Sequence, residues 1–81
     1  MKNLKQTAYK LQTALNRQGV PVIIHEKRYF SIKYQRPMTK YKVQIRWPDR
    51  YAETLADTYS VAEVIKALAE KLEAMQEAQT P

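Results

Sequence analysis

The chain contains no cysteine, one histidine (His25) and one glycine (Gly19). Without cysteine, neither a disulfide framework nor a thiolate metal site can reinforce a small core. One histidine cannot build a His-based metal site or a Ser-His-Asp triad beyond a single member. On a strand beside Ile24, His25 reads as a surface or packing residue. A single glycine leaves no phosphate-cradling loop. Long apolar runs are missing as well: the longest is Val22, Ile23, Ile24, and Lys2 and Lys5 have no apolar segment behind them. No membrane span or signal peptide is therefore expected, and the expected location is the cytoplasm.

Leu, Ile, Val and Phe together supply only 17 of 81 residues, which is low for a folded domain. Six tyrosines, three methionines and Trp47 offset the deficit. At this length the chain has room for one core, which predicts a single domain over residues 1–78 with a frayed tail at 79–81. The acids are spread over solvated positions, and nothing in their spacing makes them converge. No enzyme activity, metal, cofactor or small-molecule substrate is expected.

What the chain does have is charge, unevenly placed. Residues 1–50 hold twelve Lys or Arg against Glu26 and Asp49, whereas residues 51–81 hold Lys66 and Lys71 against six acids. A basic first half predicts a polyanionic partner or an acidic protein surface. The plainer reading is that the lysines only keep a small protein soluble.

Leu4, Ala8, Leu11 and Leu15 stack in one stripe at helical spacing, and Gly19 followed by Pro21 ends that helix. From residue 20 to 47 the period becomes two. Val22 and Ile24 alternate with Ile23 and His25. Phe30, Ile32 and Tyr34 alternate with Ser31, Lys33 and Gln35, and Tyr41, Val43, Ile45 and Trp47 alternate with Lys40, Lys42, Gln44 and Arg46. This predicts three strands, with turns at residues 26–28 and 36–39, the second marked by Pro37. One sheet face should cover the core and the basic one should meet water. Residues 53–59 fit a short fourth strand better than a helical turn. Ser60 and Glu63 form a capping box ahead of a helix whose stripe is Val61, Val64, Ile65, Leu68, Leu72 and Met75, with Tyr59 and Val64 as a hydrophobic staple. The expected fold is α+β in the order α-β-β-β-α, an antiparallel sheet with both helices on one face.

That order is similar to double-stranded RNA-binding domains and to the HicA-type toxins that cleave messenger RNA. The first likeness implies phosphate contact from lysines at the start of the second helix, where this chain has Ser60, Val61, Ala62, Glu63 and its first lysine at Lys66. The second implies a glycine, serine and histidine run on the second strand, where this chain has Phe30, Ser31, Ile32, Lys33. In general style, the stretch from Tyr41 to Trp47 followed by the helix from Ser60 to Leu72 resembles small proteins of Gram-positive prophages and mobile elements, which implies an accessory factor.

Two functions follow from the residues. In the first, the exposed sheet face binds DNA or RNA: Lys33, Lys40, Lys42 and Arg46 follow a phosphate backbone, Arg36 and Arg50 extend the footprint, and Tyr29 stacks on bases. In the second, the basic face docks an acidic protein, as an adaptor, an inhibitor of a host protein, or a homodimer that pairs the basic half with the acidic helix of another copy. An exposed patch of Tyr29, Trp47 and Tyr51 would favour this second reading. Neither helix has the apolar outer surface needed to insert into a membrane.

Overall fold

A computed structural model describes residues 3–79. Helix α1 spans Leu4–Arg17, strands β1, β2 and β3 span Val22–Ser31, Arg36–Ile45 and Glu53–Thr58, and helix α2 spans Val61–Gln79. The fold is α+β, with an antiparallel three-stranded sheet in the order β1-β2-β3. Among the described residues no helix is long and apolar enough to cross a membrane.

The ends of α1 show why the chain turns where it does. Asn3 accepts a hydrogen bond from the Gln6 N–H at 3.1 Å, satisfying one of the free donors of the first turn. At the other end Gly19 adopts φ +84°, its N–H donates to Asn16 O, and Val20 N–H donates to Leu15 O. These two bonds form a Schellman motif, which needs a left-handed residue at the glycine position. The Gln12 and Asn16 side chains then bond the backbone of Val22 at 2.9 Å each, so α1 fixes the start of β1.

The sheet departs from expectation in its turns. Residues 26–28 do not turn; β1 runs unbroken through them, paired with β2 from Val22↔Ile45 to Ser31↔Arg36. Glu26, Lys27 and Arg28 lack the Gly, Pro, Asn or Asp chemistry that breaks a strand. The expected turn at residues 36–39 is instead the start of β2, and the hairpin reverses over residues 32–35. There Ser31 Oγ accepts from Tyr34 N–H at 3.2 Å and Gln35 takes φ +52°. Pro37 is tolerated because β3 reaches only from Tyr41 to Ile45, leaving that flank of β2 without a neighbour. The third strand is therefore the segment at 53–58, and the described residues contain no fourth. A bulge between Val43 and Gln44 absorbs one extra β3 residue.

The core lies between the helices and the half of the sheet near the β1 start. Ala8, Leu15, Val20, Val22, Val43, Ile45, Val64 and Leu68 are buried, with Leu11, Val61, Ile65, Leu72 and Met75 packed against them. Both predicted helical stripes thus face the core, except that Leu4 is largely exposed. Phe30, Ile32 and Tyr34, expected to face inward, are exposed by 64%, 86% and 56% because the continuous β1 carries them past the helices to the hairpin tip. Of the capping box, the bond from Glu63 N–H to Ser60 Oγ is present at 3.4 Å, while Ser60 N–H donates to Thr58 Oγ1 rather than to Glu63. Gln79 is the last residue of α2; the rest of the expected frayed tail lies outside the described residues.

Candidate functional site

Because side chains alternate along a strand, the register assigns the faces. Val22 and Ile24 of β1 and Val43 and Ile45 of β2 point to the helices, so Ile23, His25, Lys27 and Tyr29, with Arg36, Met38, Lys40, Lys42 and Gln44, point to the open side. Arg46 continues that side just beyond β2. Four predicted contact residues, Tyr29, Arg36, Lys40 and Lys42, therefore share one face, and Arg46 extends it.

The other two do not lie on the sheet. Lys33 sits in the hairpin turn, its ammonium 5.4 Å from the Tyr34 ring centre, with the Arg36 guanidinium 5.8 Å from the same ring. It still borders the face at the tip. Arg50 stacks on Trp47 at 4.4 Å and pairs with Asp49 at 4.0 Å. Trp47 packs against the core, so Arg50 does not join the open-face set. Tyr29, Trp47 and Tyr51 form no common patch: Tyr29 lies opposite Met38, and Trp47 is nine residues further along the chain, roughly 30 Å at strand rise.

Register also brings in residues the sequence reading had placed elsewhere. Lys27, expected in a turn, is the direct cross-strand partner of Lys40, and His25 is the partner of Lys42. Tyr59, expected to staple α2, follows Thr58 on the alternate side and reaches over β2. Its hydroxyl lies 2.8 Å from that of Tyr29, and its ring lies 5.7 Å from the Lys40 ammonium. The two tyrosines bridge the face. On one side of the bridge lies a hollow of about 360 Å³ bounded by Lys27 and Lys40. On the other lies one of about 530 Å³ bounded by Lys33, Tyr34, Arg36 and Met38. The signal for Tyr59 was the period of β3, legible once the strand is known to end at Thr58.

The electrostatics of the two sheet faces differ. On the helix side Lys5 Nζ lies 2.6 Å from Glu26 Oε1, with Arg28 at 3.6 Å from the same oxygen. The hydrogen bond from Lys5 holds the Glu26 carboxyl below its ordinary value, and the same bond holds the Lys5 ammonium above its own. Among the described residues the only ion pair on the open side is Lys40 with Asp57 at 3.3 Å, and Lys27, Lys33, Arg36, Lys42 and Arg46 have none. Lys27 opposite Lys40 is a like-charge pair, which works against the hairpin. The Tyr29 phenol is pushed above its ordinary value first by the hydrogen bond with Tyr59 and then by desolvation. The face thus offers N–H and O–H donors and ring surfaces. Among the described residues no cluster of three or more His, Asp or Glu side chains is placed to hold a metal ion. Compared with known proteins, the chain matches no protein-family model, no curated protein and no solved structure.

Proposed function

We propose that the chain is a nucleic-acid-binding module that acts by binding alone, with the open sheet face as its contact surface. The observation that carries this reading is the Tyr29–Tyr59 bridge, set among Lys27, Lys40, Lys33 and Arg36 with one acid, Asp57, nearby. Unpaired cations along β2 match a phosphate backbone, and tyrosine rings beside them offer stacking surfaces to unpaired bases. The ligand favoured by this combination is single-stranded, since bases in a duplex cannot reach a ring on a flat sheet. Contact is mostly to the backbone, so sequence preference is weak and affinity falls steeply with salt.

Fluorescence anisotropy with labelled 20-nucleotide single-stranded DNA, single-stranded RNA and a duplex tests this. Saturable binding at 50 mM salt that weakens sharply by 200 mM, with single strands ahead of duplex, is the expected result. Absence of saturable binding at low salt rules the reading out.

One observation favours a second reading, docking to a protein. The hairpin tip exposes Phe30, Ile32 and Tyr34 together, and clustered exposed apolar residues mark interaction surfaces. Light scattering across concentrations tests the homodimer form: a mass that rises with concentration and returns to monomer on Ile32→Ser supports it, and a monomer throughout discards it.

A further inference from the structure

We propose that the outer edge of β3 is a docking site for an extended basic peptide segment, which adds to the sheet as a fourth strand between β3 and α2. The inference is independent of the nucleic-acid reading and concerns the other side of the molecule.

β3 pairs with β2 on one flank only, and its other flank is an edge of the sheet. An edge strand presents unpaired N–H and C=O groups, a ready template for another strand. Here the edge is not covered. A groove of about 470 Å³ runs beside it, lined by Leu55, Ala56, Asp57 and Thr58. Beyond the bulge at Leu55, the side chains of Ala56, Asp57 and Thr58 alternate between faces, so one groove that touches all three runs along the backbone edge. The facing wall is Glu63, Lys66, Ala67 and Glu70 of α2. Their spacing of three, four and seven is a single helical stripe. A strand edge facing a helical stripe is the geometry in which peptides bind by strand addition.

The groove also defines its occupant. Past its Leu55 end, the Lys71–Glu53 ion pair at 3.4 Å ties α2 to the first residue of β3. The four residues up to Thr58 leave about 13 Å, room for four or five residues of added strand. Small side chains at Ala56 and Ala67 leave the middle open. The helical wall carries two carboxylates, Glu63 and Glu70, against Lys66. The Asp57 carboxylate lies on the open side with Lys40, whereas Glu63 and Glu70 have no ion pair among the described residues. They stand about 10 Å apart along α2. Alternate residues of an added strand, about 7 Å apart, put two Lys or Arg side chains within reach of both. The same acids disfavour β3 of a second copy, which would bring like charges together.

Panning the intact protein against a phage-displayed random twelve-residue library, then titrating the synthetic consensus peptide by amide NMR, tests the proposal. The expected consensus places Lys or Arg at two positions separated by one residue. Its shifts should fall on amides 55–58 and 63–70, with slowed hydrogen exchange along β3. E63Q/E70Q, two exposed positions whose change leaves the fold intact by circular dichroism, should weaken the peptide at least tenfold. No consensus, or shifts confined to Tyr29, Lys40 and Tyr59 on the open face, overturns the proposal. So does β3 protection that appears with protein concentration alone, because the occupant is then a second copy.

Discussion

If the open face contacts phosphate, the salt dependence of binding counts the contacts, and Lys27 with Lys42 are the cations to remove. Both are exposed, both belong to the open side by register, and neither has an ion pair among the described residues. Each phosphate neutralised on a single strand contributes about −0.7 to the slope of log K against log salt, so K27Q/K42Q should be shallower by about 1.4. At 0.1 M salt each contact corresponds to about fivefold in affinity, and the pair to roughly 25-fold. The control is K10Q/R17Q, which removes the same charge from exposed positions on α1. A global change in net charge would move both variants equally, whereas a contact surface moves only the first. Lys27 faces Lys40 across the hairpin, so its removal should also stabilise the fold slightly, by a few tenths of a kcal/mol at most. Weaker binding by a more stable protein separates a lost contact from a damaged fold. The assay is anisotropy with labelled single-stranded DNA between 50 and 200 mM salt, beside urea unfolding of each variant. An unchanged slope in K27Q/K42Q, or an equal change in the control, refutes the assignment.

Other consequences concern the fold. Leu68→Ala removes a fully buried side chain and should cost about 2 to 5 kcal/mol in urea unfolding; a loss under about 1 kcal/mol would show that Leu68 is not packed. Gly19→Ala meets no atom within 4 Å, so its cost is the left-handed backbone alone, about 1 kcal/mol, whereas Gln35→Gly at φ +52° should be neutral or stabilising in the same assay. The Glu26 carboxyl is held below its ordinary 4.5, so its stabilisation is present above that pH and is lost as pH falls through the folded value; Glu26→Gln should flatten the acid limb of stability against pH. The Tyr29 phenol is held above its ordinary 10.0, so that contribution is complete below pH 10 and lost as pH rises through the folded value. Tyr59→Phe should bring Tyr29 ionisation, followed by absorbance at 295 nm, to lower pH.

The helices were legible in the sequence because their signals are local. The Leu4 to Leu15 stripe, the Gly19 stop and the Ser60 cap each lie within one or two turns and need no knowledge of the rest of the chain. The α+β order followed from them. The strands were harder because alternation states the period but not the phase. Phe30, Ile32 and Tyr34 alternate as well as any strand, and only the pairing of Ser31 with Arg36 shows that Ile32 and Tyr34 belong to a turn. Moving one turn changed the site: Lys27 became a facing residue, and Lys33 moved to the tip. Lys40, Lys42 and Arg46 kept their places because their phase is anchored by Val43 and Ile45, which are buried. The Tyr29–Tyr59 bridge joins residues thirty positions apart, a distance no periodicity reaches.

The distribution of ion pairs shows how the fold uses its charge. The acids that pair are Glu26, Asp49, Glu53 and Asp57, all in or beside the strands. Glu63, Glu70, Glu73 and Glu77 on α2 are exposed and form no ion pair among the described residues. A chain stabilised by its own charges would bring those acids to the unpaired lysines of the open face, but the core prevents it. Val64 and Leu68 hold α2 against the helix side of the sheet, so β2 and β3 stand between the two sets. The separation leaves a positive face and a negative helix on opposite sides of a molecule only 15 Å through its thinnest dimension. Surface pairs contribute little to stability in water, so this arrangement loses little by remaining unpaired. If both proposals hold, the local charge favours a polyanion at the tyrosine bridge over α2, and a basic peptide beside Glu63 and Glu70 over the bridge. The two ligands would then occupy the chain together without competing, and each would lower the charge that the other has to overcome.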